Sequence, residues 1–154
     1  MGVTIHFRGR MNPKIKTKEF YILTSLICRE FKWWISEYEE TEQGGHLFEV
    51  RPHENCEPLI FRLNPEGDFG DHCKTQFAPS EVHIGIVSLF DQVKIKLSEL
   101  IIRDEGHYWE SRKEEILVEN IQNCYLAIEK AKEEDSDYYG PVKSEDGRIT
   151  DLVK

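Results

Sequence analysis

The sequence predicts an α+β domain: a mainly antiparallel sheet of about five to six strands, with three helices packed largely on one face. Three observations predict it. Short segments alternate apolar and polar residues between turn signals. Three longer segments instead repeat apolar residues at three- and four-residue spacing. The resulting order, β-α-β-β-β-β-α-β-α, joins successive strands by short turns, which favours antiparallel pairing and leaves the helices to gather on one side.

Val3, Ile5 and Phe7 alternate with Thr4, His6 and Arg8, the pattern of a half-buried strand with one wet face. Gly9 and Asn12-Pro13 break it. From Thr17, the residues Phe20, Leu23, Ile27 and Phe31, widened by Ile22 and Leu26, are expected to form the stripe of an amphipathic helix ending near Lys32. Residues 33–38 alternate again as a second strand, and 41–45 turn. Leu47–Arg51 and Pro58–Leu63 read as two more strands. Asn64-Pro65-Glu66-Gly67 carries Pro and Gly where a tight turn needs them. Residues 72–77 are then expected as the return strand of a hairpin.

Ser80 is expected to cap a second helix whose stripe is Val82, Ile86, Leu89, Val93 and Leu97. A strand follows at 99–103. Ser111 and Glu114 have capping-box spacing ahead of a third helix with Leu117, Ile121, Cys124 and Ile128 on its apolar face. Residues 1–133 are thus expected as a single α+β domain. The segment 134–154, acidic and aperiodic, reads as a flexible C-terminal tail.

The chain has 154 residues, of which 20 are Lys or Arg and 29 Asp or Glu, for a formal charge of −9. That balance, with no long basic run, disfavours nucleic acid as a partner, since phosphate backbones are bound through basic stripes. It suits a small-molecule enzyme, a basic protein partner or plain solubility. No apolar stretch approaches the length of a membrane span, so no membrane partner is expected. The N-terminus lacks the cationic start and apolar run of a secretion signal. Four cysteines (Cys28, Cys56, Cys73, Cys124) without such a signal predict a reduced, cytoplasmic protein rather than a disulfide framework.

The densest chemistry lies at 104–110. Topology adds to it. The strand at 99–103 must double back along the second helix, which brings its acidic exit toward Ser80 and the end of strand 72–77. The candidate catalytic residues are therefore Asp104, Glu105, His107 and His83, and the candidate ligand-binding residues Lys74, Gln76, Tyr108, Trp109 and Glu110. In an enzyme, Glu105 or Asp104 would act as general base oriented by His107. Lys74 would hold an anionic group and Trp109 would stack on it. A divalent cation on Asp104, Glu105 and Glu110 is a variant of the same site.

Plainer roles compete. Asp104 and Glu105 also suit neutralising nearby helix N-termini. Tyr108 and Trp109 suit capping the core edge, and His83 suits a structural role. His53, Cys56, His72 and Cys73 supply zinc-type ligands, but His72 and Cys73 are adjacent on a strand and point to opposite faces, so no metal site is expected. No cofactor is implied, because the phosphate-loop, dinucleotide and nucleophile-elbow motifs are all missing. Two functions remain in view. One is a non-enzymatic interaction module or inhibitor of a basic partner; the other is a small-molecule-binding or hydrolase-like domain built on the 104–110 cluster with Lys74 and His83.

Overall fold

A computed structural model describes residues 2–154. The fold is α+β, with antiparallel sheets and several helices. β1 (Thr4–Met11) lies between β6 (Asp68–Lys74) and β7 (Leu97–Asp104), antiparallel to both. β4 (His46–Arg51) pairs on one side with β5 (Leu59–Leu63), and on the other with two short strands, β2 (Trp34–Ile35) and β3 (Glu39–Glu40). β5 and β6 are joined by the Asn64–Gly67 turn but share no ladder, so a gap separates the two sheets.

α1 (Thr17–Phe31) and α2 (Ser80–Val93) close one side of both sheets. Phe20 of α1 sits edge-on to Phe48 and Phe61 at 5.6 and 5.5 Å, while Phe90 of α2 lies 5.0 Å from Phe7. Such aromatic contacts bury much area in preferred geometries. They hold the two sheets on one core even though no ladder crosses the gap. α4 (Glu114–Glu134) lies beside α2 and buries Leu117 and Ile121 against Val3. The other sheet face has no helix on it, and its side chains (His6, Arg8, Arg10, Arg62, Arg103) are half-buried or exposed.

The described residues form nine strands and four α-helices, more than the sequence indicates. Residues 33–38 do not form one strand: only the two-residue β2 lies within them, and the equally short β3 follows at Glu39–Glu40. The return strand begins at Asp68 rather than His72, because Asn64 N–H donates to the Asp68 carbonyl and closes the turn there. Its Asp and Gly residues disfavour strand on propensity alone, and pairing with β1 overrides them. Residues 75–78 form a turn instead.

The third helix is also divided. α3 (Tyr108–Ser111) ends at Arg112, which adopts a left-handed φ of 58°, and α4 restarts after Lys113. Ser111 is thus not the expected N-cap; its Oγ accepts the Lys113 N–H. Pro79, not Ser80, precedes the first turn of α2. The segment after 134 is not a free tail. β8 (Val142–Lys143) and β9 (Ile149–Thr150) form a hairpin, and Arg148 reaches into the β5–β6 gap to bond the His72 carbonyl (2.7 Å) and the Asp71 carboxylate (2.6 Å). Among the described residues, no helix is long and apolar enough to cross a membrane.

Candidate functional site

The expected convergence exists in part. The end of β6, the start of α2 and the exit of β7 meet in a buried chain of side chains. Thr75 Oγ1 lies 2.6 Å from His83 Nδ1, and His83 Nε2 lies 3.0 Å from Asp104 Oδ2. Asp104 also accepts the N–H groups of Gly106 (2.7 Å), Tyr108 (3.0 Å) and Trp109 (2.9 Å). Burial works against its charge. The His83 hydrogen bond and charge, helped by the Trp109 and Gly106 amides, outweigh that and hold its carboxyl below the ordinary range.

Hydroxyl, imidazole and carboxylate stand in the order of a nucleophile triad. Access is the difference. Thr75, His83 and Asp104 are 1%, 0% and 2% exposed, so nothing from solvent reaches the hydroxyl. Chemically, the chain ties two strand ends to a helix.

The other expected members go elsewhere. Glu105 turns to the opposite side of the backbone from Asp104, as alternation along a strand dictates. Its Oε1 accepts the Thr4 N–H and its Oε2 lies 3.5 Å from His6. Lys74 donates to Asp151 (2.6 Å) and to the Ile149 carbonyl of the C-terminal hairpin. Gln76 is buried and accepts the Val3 N–H. His107 and Glu110 are exposed and 3.5 Å apart. Trp109 is half-buried under the Arg112 guanidinium, and Tyr108 meets the His83 ring edge-on. Asp104, Glu105 and Glu110 therefore do not surround one point. Among the described residues, no three His, Cys, Asp or Glu side chains are placed to share a metal ion.

Cys56 and Cys73 do meet, with sulfurs 3.6 Å apart and both buried as free thiols. His72 lies on the other face of β6 from Cys73, as strand alternation requires, with its ring tilted 6.0 Å from that of His6.

A larger opening lies on the uncovered sheet face. Arg148 fills one half of the β5–β6 gap. The other half is a cleft of about 710 Å³ lined by Arg8 and Arg10 of β1, Arg62 of β5, Gly70 and Asp68 of β6, and Glu99 of β7. Arg8 stands directly opposite Gly70 in the β1–β6 ladder. Counting back from the Asn64–Asp68 closure brings Arg62 to the other side of the same glycine. With no side chain at Gly70, the space between the two guanidinium stems stays open. Thr75 N–H bonds Val3, so the hydrogen-bonded pairs of this ladder are odd-numbered on both strands and the Gly70 amide points into the gap.

The charges in the cleft are unevenly matched. Arg10 forms a two-point ion pair with Asp68, at 2.6 and 3.1 Å, which holds the Asp68 carboxyl below its ordinary range. Arg8 and Arg62 have no ion pair or side-chain hydrogen bond among the described residues. Glu99 has no ion pair either, so the lining keeps a small net positive charge in a chain of −9, and two guanidinium groups beside an inward-pointing amide can chemically hold an anion.

Compared with protein-family models and with curated proteins, the sequence matches none.

Thr75, Arg148, Glu57 and the cleft are absent from the sequence reading. Thr75 falls within the segment expected to be strand. Arg148 and its partner Glu57 are 91 residues apart, and no local pattern links them. The cleft did leave a trace. Arg8 belongs to the wet face of the first strand, and Gly70 interrupts the strand that pairs with it.

Proposed function

We propose that this chain is a non-enzymatic binding domain whose cleft takes a small anionic ligand through a phosphate or carboxylate group. One observation carries the reading: Arg8 and Arg62 flank Gly70 without partners in an acidic protein. Arginine's planar fork suits two-point recognition of such anions. The burial of Thr75, His83 and Asp104 supports binding over the hydrolase-like alternative, because catalytic groups must touch substrate.

The test is an NMR titration with pyrophosphate and, separately, citrate. Saturable shifts are expected at the Gly70 amide and at the Arg8 and Arg62 Nε–H groups. Arg8→Ala and Arg62→Ala should each weaken binding roughly tenfold or more, the loss of one charge-assisted contact. Shifts that scatter over the surface, or that survive both substitutions, would sink the reading.

A second reading is an interaction module for a basic protein. Glu37, Glu39, Glu40 and Glu42 favour it: all are exposed around β3, and none has a cation within ion-pair distance among the described residues. A basic partner bound there would associate more slowly as salt screens the steering field. Reversing Glu39 and Glu40 to Lys would abolish capture of that partner, while leaving anion binding in the cleft unchanged.

A further inference from the structure

β7 is an eight-residue edge strand with one side unpaired. Edge strands of this length are usually blunted by lysine, proline or a covering segment. β7 contains no lysine or proline, and its one register shift, opposite Arg10 and Met11, lies at its start. Glu105 N–H donates to the Thr4 carbonyl, which sets the parity of the β1–β7 ladder. Residues 99, 101 and 103 face β1 with their backbone groups, and those of Leu100 and Ile102 point outward. Among the described residues, no backbone hydrogen bond from another element reaches Leu100 or Ile102 on that side.

We propose that β7 pairs antiparallel with β7 of a second copy of this chain, about a two-fold axis at Ile101. The strand is complementary to itself in that register. Leu100 and Ile102 would exchange backbone bonds with Ile102 and Leu100 of the partner subunit, and their half-buried side chains would meet on the helix side. On the open face, Ile101, 44% exposed, would meet its own copy. Glu99 would stand opposite Arg103 of the partner subunit, and Arg103 opposite Glu99 of the partner subunit. Two cross-strand ion pairs then flank one apolar contact.

Arg103 is available for this, since its nearest carboxylate, Glu105, is 3.9 Å away and its side chain is 69% exposed. Shifting the register by two residues brings Glu99 opposite an isoleucine or Glu105 and loses the match. The result is an isologous contact that joins two three-stranded sheets into one of six strands. It does not rest on what the cleft binds, although Glu99 also lines the cleft; Arg103 does not.

Sedimentation velocity across a protein concentration series tests it, using the full chain and the variants Glu99→Arg, Arg103→Glu and both together. The unaltered chain should shift from monomer to dimer as concentration rises. Either single reversal sets like charges opposite each other and should leave a monomer, while the double reversal should restore the dimer. Hydrogen exchange at the Leu100 and Ile102 amides of the unaltered chain should slow as the dimer fills, a readout that needs no variant. A chain that stays monomeric throughout, or a dimer indifferent to both reversals with fast exchange at these amides, overturns the proposal.

Discussion

His83 and Asp104 are joined through Nε2 and Oδ2 at 3.0 Å, with neither side chain exposed to solvent. The pair closes a path from β6 through α2 to the loop after β7. Replacing Asp104 with Ala would strand the imidazole and three backbone N–H groups together. A loss of about 3–5 kcal/mol is expected in urea unfolding. Asp104→Asn keeps an acceptor and should lose about 1–3 kcal/mol. An alanine variant that unfolds at the parent midpoint would show that the network holds nothing.

The same carboxylate makes stability depend on acid in one direction. The ordinary value is 3.8, and in the folded chain it is lowered, so the unfolded state binds the proton first. Asp104 therefore contributes fully above pH 3.8, and its contribution fades as pH falls through the lower folded value. Unfolding midpoints measured from neutral pH into acid should drop more steeply for the parent than for Asp104→Asn. Equal slopes would remove Asp104 from the acid response.

Glu57 is 3% exposed and lies between β6 and the C-terminal hairpin. It accepts the N–H groups of Lys74 (2.9 Å) and Ile149 (2.8 Å), and Arg148 lies 3.5 Å away. Removing residues 136–154 takes away the Arg148 and Ile149 contacts and the Lys74–Asp151 ion pair, and uncovers Glu57 and the end of β6. Truncation should therefore lower the urea midpoint markedly, and a truncated chain that unfolds at the parent midpoint would show that the hairpin contributes nothing.

How far these features show in the sequence depends on the range of the interaction. The extent of α1, the Asn64–Gly67 turn and the wet face of β1 are set by neighbours a few residues apart, and periodicity reveals them; the buried face of α1 is rotated from the expected stripe, taking Thr24 and Cys28 with Phe20 and Ile27 and leaving Ile22, Leu26 and Phe31 exposed. The meeting of Asp104 with His83 followed from element lengths and one chain reversal. Arg148 with Glu57, and Lys74 with Asp151, join segments that no short-range pattern relates, so charge and aperiodicity alone made 134–154 read as a tail. Strand propensity also misled at Asp68–Asp71, where pairing with β1 decides the conformation.

Cys56 and Cys73 have sulfurs 3.6 Å apart inside the core. Burial pushes the Cys73 thiol well up, and the neighbouring Cys56 thiol adds to this. Since the thiolate is the attacking species, oxidation by diamide should be slow near neutral pH and accelerate in alkali. Its product should be an intramolecular Cys56–Cys73 disulfide, identified by peptide mapping. Native alkylation should reach half-buried Cys124 first. Cys28, buried and raised to about 11, should react only on unfolding. Rapid neutral labelling of Cys73 would show that the core opens far more readily than its packing implies.

Anion binding in the cleft must appear as stability, because only the folded chain brings Arg8, Arg62 and the Gly70 amide together. A ligand at a hundred times its dissociation constant should add about 2.7 kcal/mol to unfolding. Pyrophosphate should therefore raise the thermal midpoint saturably, and added sodium chloride should reduce the gain through screening. A general salt effect would act equally on the parent, Arg8→Ala and Arg62→Ala. A site effect should shrink in both variants, to about 1.4 kcal/mol at that concentration for a tenfold loss of affinity, but persist whole in Lys130→Ala, whose ammonium lies on α4 away from the cleft. Equal stabilisation of all four chains would assign the gain to the bulk anion and leave the two guanidinium groups without a ligand.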